Sequence, residues 1–176
     1  SGDKSHFFSK FVKKFETYND TENNLEINLQ HVSNKKYLKL YKIDTNLVDY
    51  ETETLENYVD FNHFDDNNNL SLAVRTSAYR TLKDNYNDKY EYILPDITLN
   101  KNLFLDEFGF GNFQTNVKIH NYDTNKYTKF LINDFNWSFN ETAKNSFYNS
   151  NFLTSLKNVN YEVKNENKFK ADTSNE

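Results

Sequence analysis

Few side chains in this sequence stand where chemistry could begin. Four histidines, His6, His31, His63 and His120, are the residues best suited to a transition metal, yet no two stand at a metal-ligand spacing. A zinc site draws its ligands from short fixed intervals, so these read as solvated or lumen-facing histidines. Asp65-Asp66-Asn67-Asn68-Asn69 offers the oxygens of a calcium loop. It lacks the spaced ligands, the central Gly and the terminal Glu of such loops, and reads as a turn. Phe108-Gly109-Phe110-Gly111-Asn112 holds a Gly-x-Gly with no helical pattern behind it to present amides to a phosphate, which leaves a hairpin turn.

Catalytic constellations fare no better. Ser, His and Asp are all present, but no nucleophile elbow exposes a serine. The 26 acidic residues put carboxylate pairs throughout the chain, and none stands in an apolar pocket that would suit it to acid/base work. The sequence therefore points to no catalytic residue, no metal and no cofactor, and to a protein that is not an enzyme. Cys is absent, which removes disulfides and thiolate metal sites. Asn-x-Ser/Thr sequons occur at Asn19, Asn69, Asn136 and Asn140, no more than thirty Asn produce by chance. A net charge of −5 with scattered lysines argues against a nucleic-acid partner, whose phosphates need a basic stripe. Lys10, Lys14, Lys118 and Lys129 read as members of solvated strand faces.

The elements that carry these residues must be ordered. A hydrophobic share of 36% and a mean hydropathy of −0.94 lean toward disorder, but 16 Phe and 13 Tyr make the chain 17% aromatic, which disordered chains are not. Met is missing even at position 1, which reads as a piece of a longer chain. No apolar run approaches the roughly 20 residues of a membrane helix.

The periodicity is two, the repeat of a strand. Phe7, Phe11 and Phe15 share a face with Ser9 and Lys13, while Lys10 and Lys14 lie opposite. Leu25, Ile27 and Leu29 oppose Glu26, Asn28 and Gln30. The same alternation sets Leu55, Val59 and Phe61 against Glu56, Asp60 and Asn62, and Leu70, Leu72, Val74 and Ala78 against Ser71, Arg75 and Ser77. Phe113, Val117 and Ile119 oppose Gln114, Asn116, Lys118 and His120. Leu131, Phe135, Trp137 and Phe139 form the most aromatic face, and Leu153, Val159, Tyr161 and Val163 the last one. Polar turns are predicted at 19–21, 65–69, 84–88, 122–125 and 140–145, made by Asn and Asp because the chain has one Pro and three Gly. This rhythm predicts an all-β fold, an antiparallel meander of about nine long strands over residues 1–164, with 165–176 as a loop or frayed end.

Two architectures share that pattern. Soluble sandwiches use strands of about 5–6 residues, whereas membrane barrels need about 9–11, apolar outward and polar inward. Runs of ten or more residues favour the barrel. Phe7, Tyr18, Tyr58, Tyr79, Tyr92, Tyr127, Phe139 and Tyr148 fall near strand ends, where an interfacial girdle would put them. The alternative is a soluble β-sandwich, a carbohydrate-binding or adhesin-like module using Tyr90, Tyr92 and Trp137.

Several short motifs tip the balance. Ser33-Asn34-Lys35-Lys36-Tyr37-Leu38-Lys39-Leu40-Tyr41 carries a polar stretch, then Tyr-Leu, two residues and Tyr; Thr54-Leu55, Ala78 to Leu82 and Tyr90-Glu91-Tyr92-Ile93-Leu94-Pro95-Asp96-Ile97 follow in order. Over roughly residues 25–140 the chain resembles the barrel of the LptD family of lipopolysaccharide-assembly proteins. Tyr37, Leu38, Tyr41, Leu94 and Pro95 match the family motif. Lys35-Lys36 departs from it, since the family tends to place acidic residues before Tyr-Leu. The resemblance implies a partial transmembrane β-barrel of the outer membrane, with Tyr37 to Tyr41 in a strand and Leu131, Phe135, Trp137 and Phe139 as lipid-facing candidates. It implies lipopolysaccharide as cargo, an LptE-type lipoprotein as plug, and a periplasmic Lpt bridge protein acting through a jellyroll that this sequence does not contain. Nine strands cannot close a family barrel, and unpaired edges are costly in lipid. The isolated piece is therefore not expected to insert as a stable monomeric barrel.

Overall fold

Alternating apolar and polar residues can satisfy their backbone only by pairing with neighbours, and the chain does this by folding back on itself repeatedly. The computed structural model describes residues 4–17, 21–105, 108–142, 149–165 and 173–175. They form β1 (His6–Phe15), β2 (Thr21–Val32), α1 (Tyr37–Tyr41), β3 (Thr54–Asp65), β4 (Leu70–Thr81), β5 (Tyr90–Phe104), β6 (Phe110–Tyr122), β7 (Tyr127–Thr142), β8 (Asn149–Lys164) and β9 (Thr173–Asn175). The strands lie in one sheet in chain order, each antiparallel to the next. β1 and β9 are its two edges, so the sheet is open. Eight of the strands have 10 to 16 residues, longer than sandwich strands usually are.

Asparagine makes the tight turns, as the scarcity of Gly and Pro requires. Asn69, Asn85 and Asn125 adopt positive φ in three connections, a conformation that Asn tolerates better than other non-Gly residues. At the β3–β4 turn the Asp65 carboxylate accepts the Asn68 backbone N–H at 2.9 Å and its side-chain amide at 2.7 Å. The β5–β6 turn uses Gly109 at φ +90°, where an added Cβ would lie 2.1 Å from the Ser138 carbonyl oxygen.

The ladder has two irregularities. In β5 one residue is inserted between Ile93 and Asp96, a bulge seen by both neighbours. The β2–β3 pairing stops at Asn28–Tyr58, although both strands continue. Above that point side chains replace the ladder: Asn57 accepts the Gln30 N–H, Gln30 accepts the Glu56 N–H, and the Asn28 amide donates to the Glu56 carbonyl, at 2.7 to 2.9 Å.

The wedge so opened is filled by the long β2–β3 connection. Tyr37–Tyr41 is a helix here, not the strand that the family motif implied. Leu38 drops into the wedge among Val32, Val48, Leu55 and Leu82, and a helical turn is what buries it there. That cluster is the one packed apolar core among the described residues; the other fully covered apolar side chain is Val163. Among the described residues no second layer covers the sheet, and the accessible surface of 12535 Å² exceeds the roughly 9,000 Å² of a compact protein of this mass. β7 continues to Thr142 and Asn140 and Glu141 still pair with β8, so the first half of the turn predicted at 140–145 is strand; the rest of it lies outside the described residues. Thr173–Asn175 pairs with β8 inside the segment read as a loop.

Candidate functional site

Cross-strand register decides which side chains share a face, since directly paired residues point the same way. One unbroken row runs Lys13, Leu25, Phe61, Val74, Ile97, Val117, Leu131, Asn160 across β1 to β8. The apolar runs of β1 to β7 therefore all fall on one face. On the other face lie Lys10, Glu26, Asp60, Arg75, Asp96, Lys118, Asp134 and Lys157.

The polar face is ion-paired from strand to strand. Lys10 meets Glu26 at 2.9 Å, and the Tyr58 hydroxyl also donates to Glu26. Arg75 donates to Glu56 at 2.6 Å and to Asp60 at 3.2 Å, with its guanidinium 4.0 Å from the centre of the Tyr58 ring. Lys118 and Asp96 pair at 3.3 Å, His120 and Glu91 approach to 2.7 Å, and Lys157 reaches Asp134 at 3.3 Å. These are the polar residues of a half-covered surface, and they face one another rather than a pocket.

The apolar face is a slanted band. Its centre on β1 is Phe11, two residues to one side of the Lys13 to Asn160 row. On β4 the row passes through the middle of the band at Val74, between Leu70 and Ala78. On β8 the band lies between Phe152 and Leu156, centred six residues to the other side of Asn160. Eight residues over seven strand spacings is about 27 Å along the strands against about 34 Å across them, a slant of roughly 39°. Outside the band the same face is polar: Asn23, His63 and Asp65 on one side, Asn121, Lys129, Glu162 and Lys164 on the other.

Leu131, Phe135, Trp137 and Phe139 lie together in this band, with Phe152 5.5 Å from Trp137 and the indole N–H donating to the Phe108 carbonyl at 2.8 Å. Leu94 and Pro95 form the β5 bulge, while the Tyr37 and Tyr41 rings pack 4.8 Å apart at a 45° tilt in α1, so the two halves of the family motif are not brought together. Tyr58 and Tyr79 are no part of an apolar girdle: the register turns both to the polar face. Tyr18 and Tyr148 lie outside the described residues. Phe130, Ile132, Val159, Tyr161 and Val163 occupy the polar face of β7 and β8, so the last predicted apolar face points opposite to the others. The described residues contain no cluster of three His, Asp or Glu able to hold a metal ion. Lys129 pairs with Glu162 on the apolar side, unlike Lys10, Lys14 and Lys118.

The Glu26–Tyr58–Arg75–Asp60 network was not singled out by sequence reasoning. Its signal was Arg75, one of two arginines in the chain, set among carboxylates on the polar face of successive strands. No family model, curated protein or solved structure matches this chain.

Proposed function

We propose that this chain is a stretch of the wall of an outer-membrane β-barrel, its apolar band against lipid and its ion-paired face toward a water-filled lumen. The slant of the band carries the reading. Membrane-barrel strands lean roughly 35–45° from the barrel axis, so a belt lying flat in the bilayer must cross them obliquely, and the band does so at about 39° by the spacings of strands. Strands outside these residues complete the barrel at the β1 and β9 edges.

The sequence resemblance at Tyr37, Leu38, Tyr41, Leu94 and Pro95 supports reading that barrel as one of the LptD family. Its task is then to place lipopolysaccharide in the outer leaflet, with an LptE-type lipoprotein inside and a periplasmic Lpt bridge protein delivering the lipid. Such a wall works by shape and polarity. In the full-length protein, single cysteines at Phe135 and at the adjacent Asp134 separate the faces. A lipid-soluble maleimide should label the first and a membrane-impermeant one, admitted through the lumen, the second. Equal labelling of both by the water-soluble reagent in intact outer membranes overturns the reading.

A further inference from the structure

We infer that the fork between β2 and β3 is a two-state joint: with α1 wedged into it the strands stand apart, and with α1 withdrawn they zip into a complete ladder. The joint rests on strand pairing alone. Its use in a wall rests on the barrel reading above.

The strands part without either one ending. Above Asn28–Tyr58, β2 stays paired with β1 as far as Val32–His6, and β3 with β4 as far as Thr54–Thr81. Continuing the β2–β3 register would set Leu29 against Asn57, Gln30 against Glu56, His31 against Leu55 and Val32 against Thr54.

The missing rungs are held in reserve. Asn57 accepts the Gln30 N–H at 2.7 Å, the Gln30 side chain accepts the Glu56 N–H at 2.9 Å, and the Asn28 amide donates to the Glu56 carbonyl at 2.7 Å. In a hydrogen-bonded pair of an antiparallel ladder, Gln30 and Glu56 would exchange these same backbone groups with each other. Arg80 occupies the Val32 carbonyl in the same way, at 2.8 Å. Side chains thus cover backbone groups that would be costly to leave unbonded, and zipping would release them.

The wedge is an exclusive second use of the same residues. Val32 and Leu55 alternate to opposite faces of the sheet, yet both are fully buried in one cluster with Leu38, Val48 and Leu82. They meet only because the strands part. Zipping would turn Leu55 outward beside Val59 and Phe61 in the apolar band, turn Val32 to the ion-paired face, and expel Leu38. Packed groups switch between discrete arrangements instead of deforming smoothly. The wedge is also lightly held: Leu38 is the one buried residue of α1, and its outer ties are Lys36–Asp84 at 3.7 Å and the Tyr37 hydroxyl 3.1 Å from His6, both exposed. Exposed pairs contribute little. In a barrel, residues 33–53 could then swing clear while the wall behind them closes.

The test places nitroxide labels at His31 and Thr54, both exposed, in the full-length protein in micelles. Wild type should give one longer distance. L38D, which drives α1 out, should shorten it by about 5 Å, the difference between backbones parted by a side-chain layer and neighbours in one sheet. Q30A/N57A leaves the cluster whole but removes two of the amides, and should move the population the same way, since only the ladder then satisfies the Gln30 and Glu56 N–H groups. A wild type already at the shorter distance overturns the joint. So does L38D that keeps the wild-type distance or merely broadens it, the mark of strands that fray instead of pairing; if L38D does not fold, the same results in Q30A/N57A overturn it. A full-length protein soluble without detergent sinks the barrel reading only, and the distances are then read in plain buffer.

Discussion

Glu26 and Asp60 stand directly opposite each other on the polar face of the β2–β3 ladder. Two like charges in that position repel, and they are held by cations from the outer strands, Lys10 on β1 and Arg75 on β4. Arg75 also spans to Glu56, so one guanidinium neutralises two carboxylates on β3. R75A should therefore cost about 1–3 kcal/mol, the range for leaving part-covered charges unpaired. D60N added to R75A should recover part of the loss, and R75K little, since an ammonium lacks the two-pronged geometry. Urea unfolding of the full-length protein in micelles measures all three; a neutral R75A would show the ladder to be ornamental.

Val74 and Asn160 lie in the same hydrogen-bonded row and on the same face, yet the slant places Val74 at the centre of the band and Asn160 outside it. V74R should cost about 2–4 kcal/mol, the scale for a cation at the bilayer midplane. N160R should change stability by less than about 0.5 kcal/mol, as surface substitutions do. Comparable losses at both positions would mean that the belt follows the rows and that the strands are not tilted in lipid.

Much of this was legible in the sequence because period two is a local signal. Faces such as Leu25-Ile27-Leu29 and Leu131-Phe135-Trp137 survive in the structure unchanged. The slant was not legible, since it depends on register between strands and no single strand contains it. Tyr58 shows the same limit: its place near a strand end suggested a girdle, but its face and its partner Glu26 are set by pairing with β2. The segment Tyr37–Tyr41 was misread because the end of the β2–β3 ladder at Asn28–Tyr58 is a tertiary event that leaves no mark near Tyr37.

Gly109 and Gly111 offer an internal comparison. At Gly109 the backbone has φ +90° and a Cβ would run into the Ser138 carbonyl at 2.1 Å. At Gly111 the nearest atom to a Cβ is the Leu103 side chain at 3.4 Å. G109A should cost about 1–3 kcal/mol through strain in the turn, with G111A close to neutral. Thermal unfolding of the two variants checks this, and equal midpoints would show that the β5–β6 turn yields without cost.

Asp88 links two connections at the α1 end of the sheet. Its carboxylate accepts the Thr124 hydroxyl and the Thr124 backbone N–H, the latter at 3.2 Å, and pairs with Lys126 at 3.4 Å. The Thr124 hydroxyl, ahead of the Thr124 N–H and Lys126, holds the Asp88 carboxyl below the ordinary aspartate value of 3.8. A depressed pKa means that the folded state favours the carboxylate, so the clasp contributes fully above the ordinary value and is lost as pH falls through the lowered one. Spin labels at Asn87 and Asp123 should give a narrow distance distribution at neutral pH. It should stay narrow down to the ordinary aspartate range and broaden only below it, while D88N should be broad at every pH. A wild-type distribution that broadens well above that range, or a narrow one in D88N, would assign the contact between 82–89 and 123–126 to something other than this carboxylate.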